Sequence, residues 1–149
     1  MKLKISIHTK HDFQNSIQYY LETMHENEIA RVIVDAAIEV HRHLGPGLLE
    51  SVYEEALWYE LSAIRNLEVE RQKALPAVYK GYVLDKSFRV DLLVERKVIA
   101  ELKSVEEVPR KHYKILLNYL QLSDLKLGLM LNFNVELMKD GVKRVVNGL

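Results

Sequence analysis

From residue 29 onward the apolar positions Ile29, Val32, Ile33, Ala36, Ala37 and Val40 recur three and four apart, the one-sided stripe of an amphipathic helix. Asn27 is the expected N-cap, and the helix is expected to stop at "LGPG", where Gly45 can take a positive φ and Pro46 cannot continue it. A second helix is predicted from about Leu48 to about Ile64. After Asn66 the period changes. Short runs "LEVERQ", "LPAVY", "YVL", "SFRVDLLV" and "KVIAELKSV" read as strands, separated by "KG" and "DK" turn signals. Pro109 then opens a helix through "RKHYKILLNYLQL", followed by strands "KLGLMLNF" and "VKRVV". Ahead of all this, "KLKISI" alternates like a short strand, and Phe13, Ile17, Tyr20, Leu21 and Met24 keep helical spacing behind Asp12 as an N-cap. Residues 1–26 are read as an appendage and residues 27–149 as one domain. The order α, α, several β, α, β, β predicts an α/β fold with a mixed central sheet flanked by helices.

Composition narrows the function classes. A chain of 149 residues with 48% hydrophobic content can bury a proper core. No apolar run approaches the roughly 20 residues of a membrane span, and the start "MKLKISIHTKHDF" lacks an apolar signal region. A cytoplasmic protein without a membrane partner is expected. The absence of cysteine removes disulfides, thiolate zinc sites and cysteine nucleophiles together. A formal net charge of zero means that any anionic partner must be gripped by a local patch.

Within "RVDLLVERKVIAELKSVEE" polar residues interrupt the apolar rhythm at chosen points. Phe88, Val90, Leu92 and Val94 are expected on one strand face, opposite Arg89, Asp91 and Leu93; in the next strand Val98, Ala100 and Leu102 oppose Ile99, Glu101 and Lys103. The even-numbered face reads as core. Keeping both apolar faces on one side requires a connection of odd length, most simply Glu95, Arg96 and Lys97, which sets Asp91 beside Glu101. The pattern thus gathers two carboxylates and one ammonium on one side of the sheet. A solvated face carrying cross-strand charges would look the same.

A third carboxylate shifts the balance. On the second helix Tyr53, Leu57, Leu61 and Ile64 form the apolar stripe, and Glu50 projects into its middle. An ionised Glu buried there needs a cationic partner, a shifted pKa or a divalent cation, unless the first turn keeps it near solvent. His41 and His43, two apart on a helix, diverge and read as structural.

Asp91, nine residues, then Glu101-Leu102-Lys103 resembles the Asp and (Glu)-x-Lys elements of the PD-(D/E)XK nuclease superfamily, with Val90 in place of the nominal Pro. Gly47-x-x-Glu50-x-x-Tyr53, together with "AAIEVHRHLGPGLLESVYEEAL", "RVDLLVE" and "LMKDGVKRVV", resembles the GxxExxY branch, over about Glu28 to Leu149. The resemblance implies an αβββαβ nuclease core that binds Mg²⁺ or Mn²⁺ and acts on nucleic acid, with DNA expected over RNA; a homodimer or a protein partner is left open. It also implies Glu50, Asp91 and Glu101 as metal ligands and Lys103 as the residue that orients the attacking water. Oxygen donors of this kind suit hard divalent ions, and no covalent protein nucleophile is needed. Arg110, Lys111, His112 and Lys114 open the last long helix as a positive patch for phosphates. Related sequences carry a Gln four residues before the Tyr of this helix; here the positions are Ile115 and Tyr119, so the Tyr is kept as a substrate-binding candidate and the amide is replaced. A nuclease fold acting as a weak or inactive scaffold is the alternative this departure raises.

Overall fold

The computed structural model describes residues 9–149; the expected "KLKISI" strand and the side chain of Leu21 lie outside the described residues. Four α-helices are α1 (Lys10–Thr23), α2 (Glu26–Leu44), α3 (Glu50–Tyr59) and α4 (Arg110–Ser123). Five strands, β1 (Val69–Tyr79), β2 (Tyr82–Val94), β3 (Val98–Lys103), β4 (Leu127–Asn132) and β5 (Val142–Val146), form one sheet in that spatial order. Neighbours are antiparallel except β3 and β4, which run parallel because α4 carries the chain across between them. The result is the α/β arrangement with a mixed, helix-flanked sheet that the hydrophobic pattern predicts. None of the helices is long and apolar enough to cross a membrane, among the described residues.

Local chemistry moves several boundaries. The cap of α2 is His25 rather than Asn27: its Nδ1 accepts from the Asn27 N–H at 3.3 Å, and Glu28 reaches back to the His25 N–H at 2.9 Å. In α1 the Asp12 N–H donates to the Thr9 hydroxyl at 3.1 Å, so Thr9 holds the helix start. The second helix begins at Glu50, two residues later than expected, and its last turn, Glu60–Ile64, loosens into a π-helix. Lys80 and Gly81, with φ of 48° and 79°, make the two-residue hairpin turn that joins β1 to β2. "DK" does not turn; Asp85 and Lys86 lie inside β2, and a register shift between Pro76 and Val78 absorbs the irregularity. The five expected β runs are therefore three strands.

Helices cover both faces of the sheet, which corrects the reading of a single core on the even-numbered face. On one side α2 and α3 bury Ile33, Ala37, Tyr53, Leu57 and Leu61 against Leu92, Val94, Val98, Ala100, Leu102, Leu129 and Leu131. On the other α4 buries Leu116 and Leu120 against Leu75, Val90, Leu93, Ile99 and Met130. Gly128 admits the Leu116 side chain, whose carbons would lie only 2.9–3.0 Å from a Cβ at that position. Two such layers follow from a βαβ crossover, since the connecting helix must bury its stripe on the sheet.

The strand β2 changes face partway. Phe88 and Val90 pack toward α4, whereas Leu92 and Val94 pack toward α2 and α3, so the four do not share a face. The change falls at Asp91. On the neighbouring strand Gln72 has φ of 47°, and pairing skips from Arg71↔Leu92 to Lys73↔Val90. A left-handed residue in a strand breaks the pleat, and such irregularities re-aim a side chain.

Candidate active site

The connection between β2 and β3 is the three residues Glu95, Arg96 and Lys97, with Glu95 and Arg96 in the left-handed region. The ladder then runs Val94↔Val98, Leu93↔Ile99 and Leu92↔Ala100 and stops. One step further, side chains replace it. The Asp91 N–H donates to Glu101 Oε1 at 3.0 Å, and the Leu102 N–H donates to Asp91 Oδ2 at 2.9 Å. Each carboxylate satisfies the backbone donor that the parting strands would leave unpaired.

The two acids stand beside each other, and each lines an opening. Asp91 lines a cleft of about 540 Å³ on the α3 side, shared with Glu50, Glu54 and Gln72. Glu101 and Lys103 line a cavity of about 250 Å³ under α4, with His112, Ile115 and Tyr119. Asp91 and Glu101 stay side by side between the two openings, and Lys103 follows Glu101 two residues along β3. The turn of β2 at Asp91 brings it into electrostatic reach of Tyr119 as well as of Glu101.

Burial pushes the Glu101 carboxyl up to about 8, and the neighbouring Asp91 adds to the rise; the Asp91 N–H and the Lys103 ammonium pull it down without cancelling it. A proton or another cation is thus favoured between the two acids. Burial also lowers His112 from its ordinary value, with Lys103 and Lys111 acting the same way and Glu50 opposing. Tyr119 is raised, first by burial and then by Glu101 and Asp91. Its ring stacks on Phe88 at a centroid distance of 4.4 Å.

Glu50 is exposed, not sunk in the apolar stripe. It is the first residue of α3, ahead of the buried Tyr53, Leu57 and Leu61. Its place at the cleft is fixed by the loop before it. Gly47, with φ of 92°, turns the chain where another residue would be strained. The buried Tyr53 donates its hydroxyl to the Gly45 carbonyl at 2.5 Å and accepts from the Leu48 N–H at 3.1 Å, while Phe133 stacks on its ring at 4.4 Å. Ser104, just past β3, donates to the Leu48 carbonyl at 2.6 Å. The spacing Gly47-x-x-Glu50-x-x-Tyr53 is therefore a turn, a presented carboxylate and a clamp.

Three contacts have no sequence signal. The Gln72 carboxamide donates to Asp91 Oδ1 at 3.2 Å and also to Glu54, whose other oxygen accepts from Arg71 at 3.3 Å. Nothing in "VERQK" signals the left-handed backbone that aims this amide. Arg110, Lys111 and Lys114 are exposed on the opening turns of α4, close to the Glu101 cavity through His112 and Ile115. Among the described residues, no group of three or more His, Cys, Asp or Glu side chains is already arranged to hold a metal ion. The donor chemistry fits a hard divalent cation all the same: carboxylate oxygens in mutual repulsion, one of them held near neutrality.

The family model of the PD-(D/E)XK nuclease superfamily matches residues 27–145, most of the chain. The chain belongs to the PD-(D/E)XK nuclease superfamily. Members are usually nucleases that use divalent metals such as Mg²⁺ or Mn²⁺. No match was found among curated proteins. Among solved structures, the crystal structure of SSO0001 is similar at 14% identity with a TM-score of 0.51, covering 95% of this chain and 79% of that one. A likeness at that identity speaks for the fold, in agreement with the PD-(D/E)XK architecture of β1–β2–β3–α4–β4.

Proposed function

We propose that this protein is a metal-dependent nuclease of the GxxExxY branch, hydrolysing phosphodiester bonds of nucleic acid, with DNA favoured over RNA. The observation that carries the reading is the Asp91–Glu101 pair at the end of the β2–β3 ladder, where burial and Asp91 raise Glu101 to about 8. Asp91 and Glu101 would hold Mg²⁺ or Mn²⁺, with Glu50 completing the set from the first turn of α3. When bound, the cation supplies Lewis acidity and positive charge against the phosphodiester.

The protein's own groups divide the remaining work. Lys103 orients the attacking water and stabilises developing negative charge. Arg110, Lys111 and Lys114 hold substrate phosphates at the opening of α4, and Tyr119 positions the substrate beside the cavity. His112, lowered by burial, stays neutral at physiological pH and can accept a hydrogen bond there. Residues 1–26 act as an appendage to the nuclease domain, and the chain works in the cytoplasm. A second reading, a weak or inactive nuclease fold acting with a partner, is favoured by Ile115 beside Glu101 and by the open position of Glu50. Purified protein incubated with labelled single- and double-stranded DNA and RNA separates the two. Turnover with Mg²⁺ or Mn²⁺ that EDTA stops supports the nuclease; no turnover on any substrate supports the scaffold.

A further inference from the structure

Residues 78–87, the outer part of the β1–β2 hairpin, are exposed without exception, yet they include Val78, Tyr79, Tyr82, Val83 and Leu84. Scattered apolar residues on a surface are ordinary; five within seven positions are not. Tyr79 and Tyr82 are direct cross-strand partners beside the turn, 60% and 66% exposed. Inward along β2 from Tyr82, past the register shift of the hairpin, come Leu84, Lys86 and Phe88. Those three, with Ala77, Ile115 and Tyr119, line a groove of about 420 Å³ between the hairpin and α4. Ile115 and Tyr119 also line the Glu101 cavity, so the groove adjoins that cavity.

Charge selects the occupant. The chain as a whole is neutral, but residues 77–89 hold Lys80, Lys86 and Arg89 against Asp85, and α4 holds three cations and no acid. Lys80, Lys86 and Lys114 are exposed along this path, and the Lys80 ammonium lies 5.5 Å from the Tyr79 ring centre. An apolar floor with basic margins suits a strand whose bases are unstacked and whose phosphates follow the cations. A duplex presents phosphates outward and keeps its bases from an apolar floor.

We propose that the β1–β2 hairpin and α4 form a track for single-stranded nucleic acid, with Tyr79 and Tyr82 as a stacking platform, leading the strand over roughly 20 Å toward the Asp91–Glu101 site. This rests on the nuclease reading for its endpoint, and it adds the substrate class: single strands or unpaired ends, engaged through the hairpin.

The test is binding without turnover. Fluorescence anisotropy with labelled oligo-dT, oligo-U and a duplex of equal length, in EDTA, reads affinity independently of cleavage. Single strands should bind at least about tenfold tighter than the duplex. The double substitution Tyr79→Ala/Tyr82→Ala should weaken single-strand binding by about tenfold or more. Lys80→Ala/Lys86→Ala should lower the salt dependence of binding, with circular dichroism reporting that both variants keep the fold. Equal affinity for the duplex, or single-strand binding unchanged by loss of both tyrosines, overturns the track. A dimer that the tyrosine substitutions dissociate without changing single-strand affinity assigns the surface to a second copy and overturns it too. Single-strand binding that needs the tyrosines, in a protein that never cleaves, keeps the track and sinks the nuclease reading instead.

Discussion

The N–H of Asp91 donates to the carboxylate of Glu101 at 3.0 Å, one step beyond the last backbone pair of β2 and β3. Two acids are thereby fixed beside each other by the strands' own unpaired donors. The arrangement raises Glu101 and leaves the site short of positive charge.

Cation binding should therefore be linked to a proton. The folded value of Glu101, about 8, lies above its unfolded value of 4.5, so the folded protein holds the extra proton. Its stabilising contribution is full below about 4.5 and is lost as the pH rises through about 8, at a limiting slope on the order of 1 kcal/mol per pH unit. Denaturant unfolding of the metal-free protein should show stability falling over that window, and Glu101→Gln should flatten it. Calorimetric titration with Mn²⁺ at pH 7 should release a proton, seen in buffers of different ionisation heat, and Asp91→Ala should abolish binding. Unchanged Mn²⁺ binding in Asp91→Ala would remove the metal assignment.

Tyr53 is a clamp on the loop that presents Glu50. Tyr53→Phe keeps the ring stacked on Phe133 but leaves the Gly45 carbonyl and the Leu48 N–H without that partner. A loss of about 1–3 kcal/mol in unfolding free energy is expected, with weaker Mn²⁺ binding because Glu50 is no longer fixed. A variant as stable as the parent would show that solvent replaces both contacts.

Ile115 stands in the Glu101 cavity where the family that the sequence resembles carries Gln. Adding an amide there offers a donor and an acceptor worth roughly 0.5–1.5 kcal/mol, so Ile115→Gln should raise the cleavage rate severalfold. No gain, with the fold retained, would mean that the amide has no partner in this site.

Much of this was legible in the chain because period and burial agree. The odd-length link Glu95-Arg96-Lys97 follows from placing Leu92 and Val94 on the same face as Val98 and Ala100, and it sets Asp91 against Glu101 without any reference to chemistry. The "KG" turn and the α4 crossover were readable for similar local reasons. Backbone events that side-chain patterns do not encode were not. Gln72 adopts a left-handed φ with no glycine to announce it, and that break turns Phe88 and Val90 away from the face of Leu92. Periodicity gave Glu50 an angle on α3 but not its position at the helix start, so its exposure was missed. "DK" looked like a turn because turn residues also occur in a solvated strand, as in the exposed part of β2.

The most direct measurement of the account is single-turnover cleavage of a labelled oligonucleotide in Mn²⁺ by the parent protein, Glu101→Ala and Lys103→Ala, alongside calorimetric Mn²⁺ affinity of each. A protonated Lys cannot be a metal ligand, so its loss should separate chemistry from metal binding. The account predicts cleavage by the parent that EDTA stops, loss of both cleavage and Mn²⁺ binding in Glu101→Ala, and loss of cleavage with Mn²⁺ affinity retained or raised in Lys103→Ala. Full cleavage by Lys103→Ala, or by the parent in EDTA, would contradict it.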